Sequence, residues 1–173
     1  WITVNYRESY DIFACNGILF NHESSIRGET FVTKKIVDAM KKIKNKELKK
    51  FYLGNIYAKR DWGHAEDYVY AMWKMLQQKK PDDYVISTNK QYSVKKFIEI
   101  VAKKLEMKIK WKGKGLNEKC IWEKKVIIEI DKKYFRPTEV ESLKGDYRKA
   151  YKSLGWRPTR NIFALVEDML KNN

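Results

Sequence analysis

A basic segment between a short apolar strand and an amphipathic helix carries the residue type best suited to binding phosphate. Phe51–Leu53 predicts a strand, and Gly54-Asn55 predicts the turn that ends it. The sequence Lys59–Trp62 follows, and a helical pattern begins at about His64. A guanidinium binds two phosphate oxygens at once, which an ammonium group cannot do. Arg60 is therefore a candidate phosphate ligand, and the alternative is an ordinary arginine on a solvated loop.

A second group of polar residues follows an apolar stretch. Asp11–Phe20 is almost wholly apolar, which predicts a strand buried on both faces of a parallel sheet. It is followed by Asn21 and His22, and ligands of open α/β sheets gather beyond the carboxyl ends of the strands. We expect both side chains to face a cleft. His22 is a poor candidate for a metal ligand, because the chain has just one other histidine, His64.

The apolar periodicity predicts alternating helices and strands, which is typical of an α/β fold. Helices are predicted at about 1–9, 31–43, 64–76, 93–106, 146–154 and 161–172, and strands at 11–20, 51–53, 84–87, 108–112 and 126–130. The segment 113–125 is predicted to be irregular. In the helix after His64 the predicted core face consists of Ala65, Tyr68, Val69, Met72 and Trp73.

Composition limits the classes of partner and compartment. With 173 residues and 43% hydrophobic content, the chain can bury one good core with a small subdomain. The net charge of +15 suits an anionic partner: a nucleic acid, a membrane surface or a phosphorylated small molecule. The lysines are dispersed, which is also typical of a solubility feature. Two cysteines, Cys15 and Cys120, make neither a disulfide framework nor a zinc site, so we expect a reducing, cytoplasmic compartment. The sequence shows no long apolar run, so we expect no membrane span.

Several separated motifs resemble the GDP-mannose 4,6-dehydratase family, NADP-dependent members of the extended short-chain dehydrogenases. They are FNHES at 20–24, RGETFVTKKI at 27–36, the run from YLGN to AKRDWGHAEDYVYAMW at 52–73, YFRPTEVESLKGD at 134–146 and KSLGWRP at 152–158. The resemblance covers essentially the whole chain. Two departures stand out: Ser25 and Ile26 stand where the family usually has Pro and Arg, and the segment 113–125 follows the family loosely.

The resemblance implies the C-terminal portion of a Rossmann-type enzyme, with the last parallel strand or strands and a small α/β substrate-binding domain. Residues 1–30 would be the remnant of the nucleotide-binding sheet, and 31–173 mainly the sugar-nucleotide domain, with segments that can return to that sheet. No glycine-rich fingerprint of the family's kind occurs here, and no motif of this chain matches the segment that carries the family's catalytic Tyr-x-x-x-Lys pair. Because Trp1 opens inside a helical pattern, we expect both to lie upstream and no catalytic residue to lie in this chain.

The resemblance also implies roles for individual residues. His22 and Arg27 match cofactor-binding positions for NADP. Substrate-binding positions are matched by Asn21, Lys35, Asn55, Arg60, Arg136 and Glu139, with Arg60 and Arg136 as a pair that clamps the pyrophosphate. Asn55 is an equally good turn former and Glu139 an equally good helix cap. Lys34, beside Lys35, is predicted to face solvent.

The implied activity is that of a lyase, which converts GDP-mannose to GDP-4-keto-6-deoxymannose, the first step toward GDP-fucose and other GDP-deoxyhexoses. In the family, hydride leaves C4 for NADP, water is lost across C5 and C6, and the hydride returns to C6. The intact enzyme is expected to be a homo-oligomer that binds neither nucleic acid nor membrane. The chain by itself is expected to be inactive and prone to aggregation, because its apolar strand would have exposed edges.

Three alternatives remain open at this point. The first is another sugar-nucleotide enzyme of the same fold, such as a UDP- or dTDP-sugar epimerase or dehydratase. The second is a basic nucleic-acid-binding domain, although the sequence has no RNP, zinc-finger or helix-turn-helix frame. The third is a chain that serves only as an oligomerisation surface.

Overall fold

The computed structural model describes residues 1–135 and 138–171, which form two compact α/β units. Unit 1 consists of 1–24, 61–91 and 144–165. Unit 2 consists of 25–60, 92–143 and the described residues from Val166 onward. Each unit is therefore built from three separate stretches of sequence. Whether the division matches a nucleotide-binding and a substrate-binding domain stays a prediction.

Unit 1 contains two pairs of parallel strands. Strand β1 pairs with β6 in the register Asn16↔Asp83 to Leu19↔Ile86, and β2 pairs with β5 in the register Asn21↔Trp62 to Glu23↔His64. Its elements are α1 Ile2–Tyr10, β1 Asn16–Leu19, β2 Asn21–Glu23, β5 Trp62–His64, α3 Ala65–Leu76, β6 Asp83–Ile86 and α5 Arg148–Leu154. The core of this unit consists of Tyr68, Ala71, Met75, Tyr84, Ile86, Ala150, Leu154 and Trp156.

Local signals in the sequence fix the helix ends of unit 1. The His64 side chain accepts a hydrogen bond from the Glu66 amide at the start of α3, where acidic residues also suit the helix dipole. Helix α5 ends at Gly155, which adopts a left-handed conformation with φ of 60° that glycine tolerates best. The Asn161 side chain accepts from the amides of Phe163 and Ala164 at the start of the last helix, α6 Ile162–Lys171.

Unit 2 is organised around a four-stranded sheet of order β3-β10-β9-β8, in which β3 and β10 are parallel and the other pairs antiparallel. A two-stranded antiparallel ladder joins β4 to β7. The elements are α2 Val32–Lys44, β3 Phe51–Leu53, β4 Lys59–Arg60, β7 Tyr92–Ser93, α4 Val94–Lys104, β8 Lys110–Lys112, β9 Lys119–Trp122 and β10 Lys125–Ile130. Short 3₁₀ turns span Gly115–Asn117 and Lys132–Tyr134.

The core of unit 2 comes from the apolar faces of α2 and α4 and from the central strands. Its buried members include Ile36, Val37, Met40, Phe97, Ile98, Val101, Cys120, Ile127 and Ile128. Ser93 caps α4 by accepting a hydrogen bond from the Lys96 amide, at the predicted start of that helix. Burial raises the pKa of the Cys120 thiol to about 12, so this cysteine is a core residue and not a nucleophile.

The predicted elements are largely confirmed, and several local predictions are wrong. The strand predicted over 11–20 forms at Asn16–Leu19, and it is not buried on both faces, because among the described residues it pairs only with β6 and Ile18 is 55% exposed. Asn21 and His22 belong to a strand and not to a loop, since they pair with Trp62 and Gly63.

Two more corrections concern unit 2. The segment predicted to be irregular contains β9, which pairs with both β8 and β10. Lys34 is buried, and its ammonium group forms an ion pair of 2.8 Å with Asp38 one turn later on α2. Within the described residues, no helix is long and apolar enough to cross a membrane.

Candidate functional site

A pocket lies at the carboxyl ends of the parallel strands β3 and β10. The two strands end at Leu53 and Ile130, and the chain segments that leave them form much of the pocket wall. Its volume is about 500 Å³, and its lining residues are Gly54, Asn55, Ile56, Tyr57, Gly115, Leu116, Ile130, Lys132 and Phe135. This edge of a sheet is where α/β proteins usually bind ligands.

The turn after β3 shapes one wall of the pocket. Asn55 Oδ1 accepts a hydrogen bond of 2.9 Å from the Tyr57 amide, so Asn55 forms the turn as the sequence allows. Gly54 must be glycine, because a Cβ atom there would lie 2.2 Å from the carbonyl oxygen of Tyr134. The close approach of these two backbone segments brings Phe135 to the pocket.

A network of charged and aromatic groups supports Tyr57 from behind. Its hydroxyl donates to the Glu118 carboxylate, which also accepts a 2.6 Å hydrogen bond from Lys95. The Glu118 side chain is 3% exposed. Burial would raise the pKa of Glu118, but the hydrogen bonds from Lys95 and Tyr57 outweigh it and hold the pKa below its usual value. Lys95 also lies 4.9 Å from the ring centre of Trp111.

Arg60 and Glu139 form an ion pair that also belongs to unit 2. Arg60 Nη2 lies 2.6 Å from Glu139 Oε1, and Nη1 donates to the carbonyl oxygens of Val140, at 2.6 Å, and Lys59, at 2.9 Å. The Arg60 side chain is 15% exposed. The guanidinium is therefore held in one orientation on β4, and whether it binds phosphate stays a prediction.

Lys35 lies on α2 with its ammonium group among uncharged partners. Nζ donates a 2.9 Å hydrogen bond to the Tyr52 carbonyl oxygen and lies 4.3 Å from the ring centre of Tyr134. Partial burial lowers the pKa of Lys35. An anionic ligand would stabilise the charge of this partly desolvated ammonium group, because its present contacts are an uncharged carbonyl and an aromatic ring.

The remaining predicted residues are distributed over both units. In unit 1, His22 Nδ1 lies 2.9 Å from the Phe20 carbonyl oxygen, and the His22 ring lies 5.0 Å from that of Tyr68. Asn21 precedes it on β2. In unit 2, the Arg27 guanidinium lies over the Phe31 ring at 3.4 Å. Arg136 is outside the described residues.

Comparison with known proteins decides the family. The family model for GDP-mannose 4,6 dehydratase matches residues 1–169. This chain belongs to the GDP-mannose 4,6-dehydratase family. The GDP-mannose 4,6 dehydratase of Drosophila melanogaster is 52% identical over 173 residues, which are 99% of this chain and 44% of the relative. The chain thus spans about half the length of the curated relatives it matches.

Solved structures agree on the fold of this family member. RMD from Pseudomonas aeruginosa, solved with NADPH, superposes with a TM-score of 0.78 at 15% identity, over 98% of this chain and 50% of its own. The dTDP-glucose 4,6-dehydratase of Bacillus anthracis, solved with NAD, gives 0.75 at 16% identity, over 98% and 47%. The chain therefore shares the α/β fold of about half of each of these two proteins.

In this family member, some of the predicted site residues lie close together. Arg60 and Glu139 are in direct contact, and Glu139 does not cap a helix, since the next described helix begins at Arg148. Lys35 contacts Tyr52 on β3, and the pocket residue Asn55 follows the same strand. Both residues are therefore positioned by β3. Whether these groups bind substrate stays a prediction.

Several carboxylates of this family member are buried although no sequence pattern predicted it, Glu118 and Asp61 among them. Glu118 lies in the segment predicted to be irregular, where no pattern indicated a buried acid. Asp61 is fully buried in unit 1 and accepts from the Thr88 amide at 2.8 Å, the Thr88 hydroxyl at 2.6 Å and the Gly145 amide at 3.2 Å. Its position beside Arg60 in a polar motif was the available signal. No group of acids, histidines and cysteines that could hold a metal occurs in the described part of the chain.

Proposed function

We propose that this chain forms the substrate-binding part of a GDP-mannose 4,6-dehydratase, which converts GDP-mannose to GDP-4-keto-6-deoxymannose with loss of water. The observation that carries the proposal is the family match over residues 1–169. The product would serve GDP-fucose and other GDP-deoxyhexose synthesis. The chain spans about half the length of the relatives it matches, so we propose that the chain alone does not turn over GDP-mannose.

Arg60 is proposed to bind the pyrophosphate of the substrate. A guanidinium that is fixed by Glu139 and the Val140 carbonyl loses little conformational entropy when a phosphate arrives. Glu139 therefore has a positioning role toward Arg60 in addition to its proposed contact with the nucleoside. Arg136 is proposed as the second arginine of the clamp.

Lys35, Asn55 and Asn21 complete the proposed substrate contacts. The ammonium group of Lys35 has a carbonyl and an aromatic ring as its contacts, and a phosphate would supply the negative charge that this partly buried group lacks. Asn55 lines the pocket after β3. Asn21 lies on β2, next to the position proposed for the cofactor.

The cofactor is proposed to be NADP, which accepts hydride from the sugar and returns it. The described residues fit only part of such a cofactor. Arg27 offers a guanidinium for a phosphate, and His22 offers a ring nitrogen in unit 1. The sequence has no glycine-rich loop for the pyrophosphate. We propose a cytoplasmic homo-oligomer for the complete enzyme.

Binding of GDP-mannose to the 173-residue chain, measured by isothermal titration calorimetry, tests the proposal without requiring turnover. Arg60→Ala should weaken binding by roughly 2–4 kcal/mol, because it leaves phosphate charge unpaired. Arg60→Lys should recover only part of the loss, since ammonium lacks the two-pronged geometry. NADP affinity should change little in either variant.

Arg148→Ala is the matched control, because Arg148 is an exposed arginine whose carboxylate partner is Asp146. It should bind GDP-mannose like the parent. If Arg60→Ala also binds like the parent, Arg60 is not a substrate ligand. A UDP- or dTDP-sugar that binds more tightly than GDP-mannose would favour the related enzymes of this fold. Tight binding of random DNA that falls steeply with salt would favour the nucleic-acid alternative.

A further inference from the structure

The three residues 59–61 hold two other stretches of the chain beside them. On one side, β4 pairs with β7 as an antiparallel ladder. On the other side lies the segment 139–145, which pairs with β4 in parallel. The Lys59 amide donates to the Glu141 carbonyl oxygen at 2.7 Å, and the Leu143 amide donates to the Lys59 carbonyl oxygen at 3.0 Å. The segment 139–145 therefore runs along β4 in a defined register.

The side chains of the next two residues bond the two ends of the segment 139–145. Arg60 contacts its beginning, with Nη2 2.6 Å from Glu139 Oε1 and Nη1 2.6 Å from the Val140 carbonyl oxygen. Asp61 contacts its end, where Oδ2 accepts a 3.2 Å hydrogen bond from the Gly145 amide. The groups that orient the Arg60 guanidinium and the amide that Asp61 holds thus belong to one short segment.

Each oxygen of the buried Asp61 carboxylate bonds a different neighbour of β4. Oδ2 binds the segment 139–145, and Oδ1 accepts from the Thr88 amide at 2.8 Å and from the Thr88 hydroxyl at 2.6 Å, shortly before β7 begins. A carboxylate can accept all three hydrogen bonds. A carboxamide has a single acceptor oxygen and would present a donor to one of the two neighbours.

The end of the segment 139–145 is closely packed at Gly145. A Cβ atom on this residue would lie 2.3 Å from the Cβ atom of Ser87, which is far inside contact distance. Because both atoms would be fixed to the backbone, only glycine fits without a backbone shift. Asp61 therefore binds an amide whose position allows little variation.

We propose that Asp61 is a positioning residue for Arg60. It fixes the backbone at the end of β4 and the end of the segment 139–145, and so keeps Glu139 and the Val140 carbonyl where they orient the guanidinium. The proposal rests on the proposed function, in which Arg60 binds the pyrophosphate of the substrate. It adds a residue that raises phosphate affinity without contacting the ligand.

The physical reason is conformational entropy. A free arginine side chain loses rotational freedom when it binds a phosphate, and this loss weakens binding. An arginine that a carboxylate and a carbonyl already hold has less freedom to lose. If the segment 139–145 shifts along β4, both acceptors shift with it, and Arg60 regains its freedom in the unbound protein. Loss of the Asp61 bonds should therefore lower phosphate affinity although Arg60 itself is unchanged.

Titration of the 173-residue chain with inorganic pyrophosphate and with GDP-mannose, by isothermal titration calorimetry, tests the proposal. Asp61→Asn keeps the shape of the side chain. Whichever way its amide is turned, it presents a donor to the Gly145 amide or to the Thr88 donors. Asp61→Asn should weaken the binding of both ligands by about fivefold.

Asp67→Asn is the matched control. Asp67 is a second buried carboxylate of unit 1, and it too accepts from a threonine amide, a threonine hydroxyl and a further amide. These donors belong to Thr159 and Arg160, which lie outside β4 and outside the segment 139–145. Asp67→Asn should lower the free energy of unfolding and leave both affinities unchanged.

A double variant separates positioning from general damage to the fold. If Asp61 acts through Arg60, then in an Arg60→Ala background Asp61→Asn should change pyrophosphate affinity by less than about twofold. A loss of about fivefold in that background as well would mean that Asp61→Asn disturbs the site without involving Arg60, and the positioning role would be overturned.

A milder pair of variants tests the same carboxylate if Asp61→Asn does not fold. Thr88→Val removes the hydroxyl donor to Asp61 and keeps the amide donor, whereas Thr88→Ser keeps both. Thr88→Val should weaken pyrophosphate by about twofold or more, and Thr88→Ser should bind it like the parent. Equal affinities of these two variants would contradict the positioning role.

The proposed function and the positioning role fail in different ways. If the parent chain does not bind GDP-mannose, the proposed function fails. If the parent binds GDP-mannose and Arg60→Ala weakens it, but Asp61→Asn and Thr88→Val bind like the parent, only the positioning role is overturned. An equal loss of affinity in Asp61→Asn and Asp67→Asn would also overturn it, because affinity would then follow stability.

Discussion

Helix α3 of unit 1 and helix α4 of unit 2 both carry apolar residues at helical spacing, but they bury different parts of that pattern. In α4 one apolar face is buried, with Val94, Phe97, Ile98, Val101 and Ala102 inside. In α3 the buried residues are Asp67, Tyr68, Ala71 and Met75. Val69, Met72 and Trp73, which were predicted to be core, are 61%, 39% and 55% exposed. The prediction for that face of α3 is therefore wrong.

The difference shows what helical periodicity can decide. Helix α4 has one apolar stripe and a lysine-rich opposite face, so only one orientation buries apolar surface. Helix α3 is apolar on two sides, and periodicity cannot say which side the unit's own core will use. In unit 1 the choice follows from Trp156 and Tyr84, which pack with Tyr68 and Met75 in one core.

The buried carboxylate of Asp67 also fixes the orientation of α3, and its removal should have the largest effect on the free energy of unfolding. Asp67 accepts hydrogen bonds from the Thr159 amide and hydroxyl and from the Arg160 amide, at 2.9, 2.5 and 3.0 Å. Asp67→Ala should lower the free energy of unfolding by about 4 kcal/mol, because those donors lose their partner in a buried site. Urea denaturation measures the change.

The neighbouring Glu66 provides the control for that prediction. Its carboxylate contacts Arg160 too, but it is largely exposed. Glu66→Ala should therefore cost less than about 1 kcal/mol. Similar costs for the two variants would show that Asp67 is an ordinary surface acid.

Two methionines on α3 compare its two faces directly. Met75 is 3% exposed and Met72 is 39% exposed. Met75→Ala should destabilise the chain by about 3 kcal/mol through lost burial and a cavity, and Met72→Ala by less than about 1 kcal/mol. The free energy of unfolding in urea again gives the result. Equal costs would mean that α3 uses both faces alike in the folded chain.

Strand pairing in unit 1 should depend on pH through Asp83. Its carboxylate binds Arg7 in two hydrogen bonds of 2.9 and 3.2 Å and accepts from Asn16, so the pKa of Asp83 is lowered from 3.8 to about 2. A lowered pKa in the folded state stabilises the chain above the unfolded value. That contribution is lost as the pH falls from about 4 toward 2.

Asp83→Asn tests this contribution, because it removes the charge and retains the shape. It should cost about 1–2 kcal/mol of unfolding free energy near neutral pH and almost nothing at about pH 2. Denaturation curves of parent and variant at both pH values give the comparison. A cost that is independent of pH would mean that the charge of Asp83 contributes nothing.

The smallest expected effect on stability concerns the exposed face of α3. Trp73→Lys should change the free energy of unfolding by less than about 0.5 kcal/mol. It should nevertheless reduce self-association, because Trp73 lies beside exposed Val69, Tyr70, Met72 and Leu76 on an apolar surface. Light scattering after size-exclusion chromatography measures the mass of parent and variant. A parent chain that is already a monodisperse monomer would contradict the expected tendency to aggregate.

Local sequence determined most of the secondary structure of this protein. Ser93, Gly155 and Asn161 act at the helix ends where the sequence predicted them, because a cap needs only the groups within one turn. The short strand Phe51–Leu53 and the turn after it were also predicted from the local sequence. The motifs around Arg60 also identified the family, since a motif carries residue types and spacing without any coordinates.

Only the tertiary structure decided which groups meet. The ion pair of Arg60 with Glu139 joins residues 79 positions apart, and the Tyr57–Glu118 bond spans 61 positions. Pairing across such separations depends on the register of β3, β9 and β10, to which local propensity contributes nothing. Likewise the sequence could not tell which face of α3 is buried or that Lys34 is buried. Burial is decided by what packs against a residue, whereas periodicity records only which residues share a face.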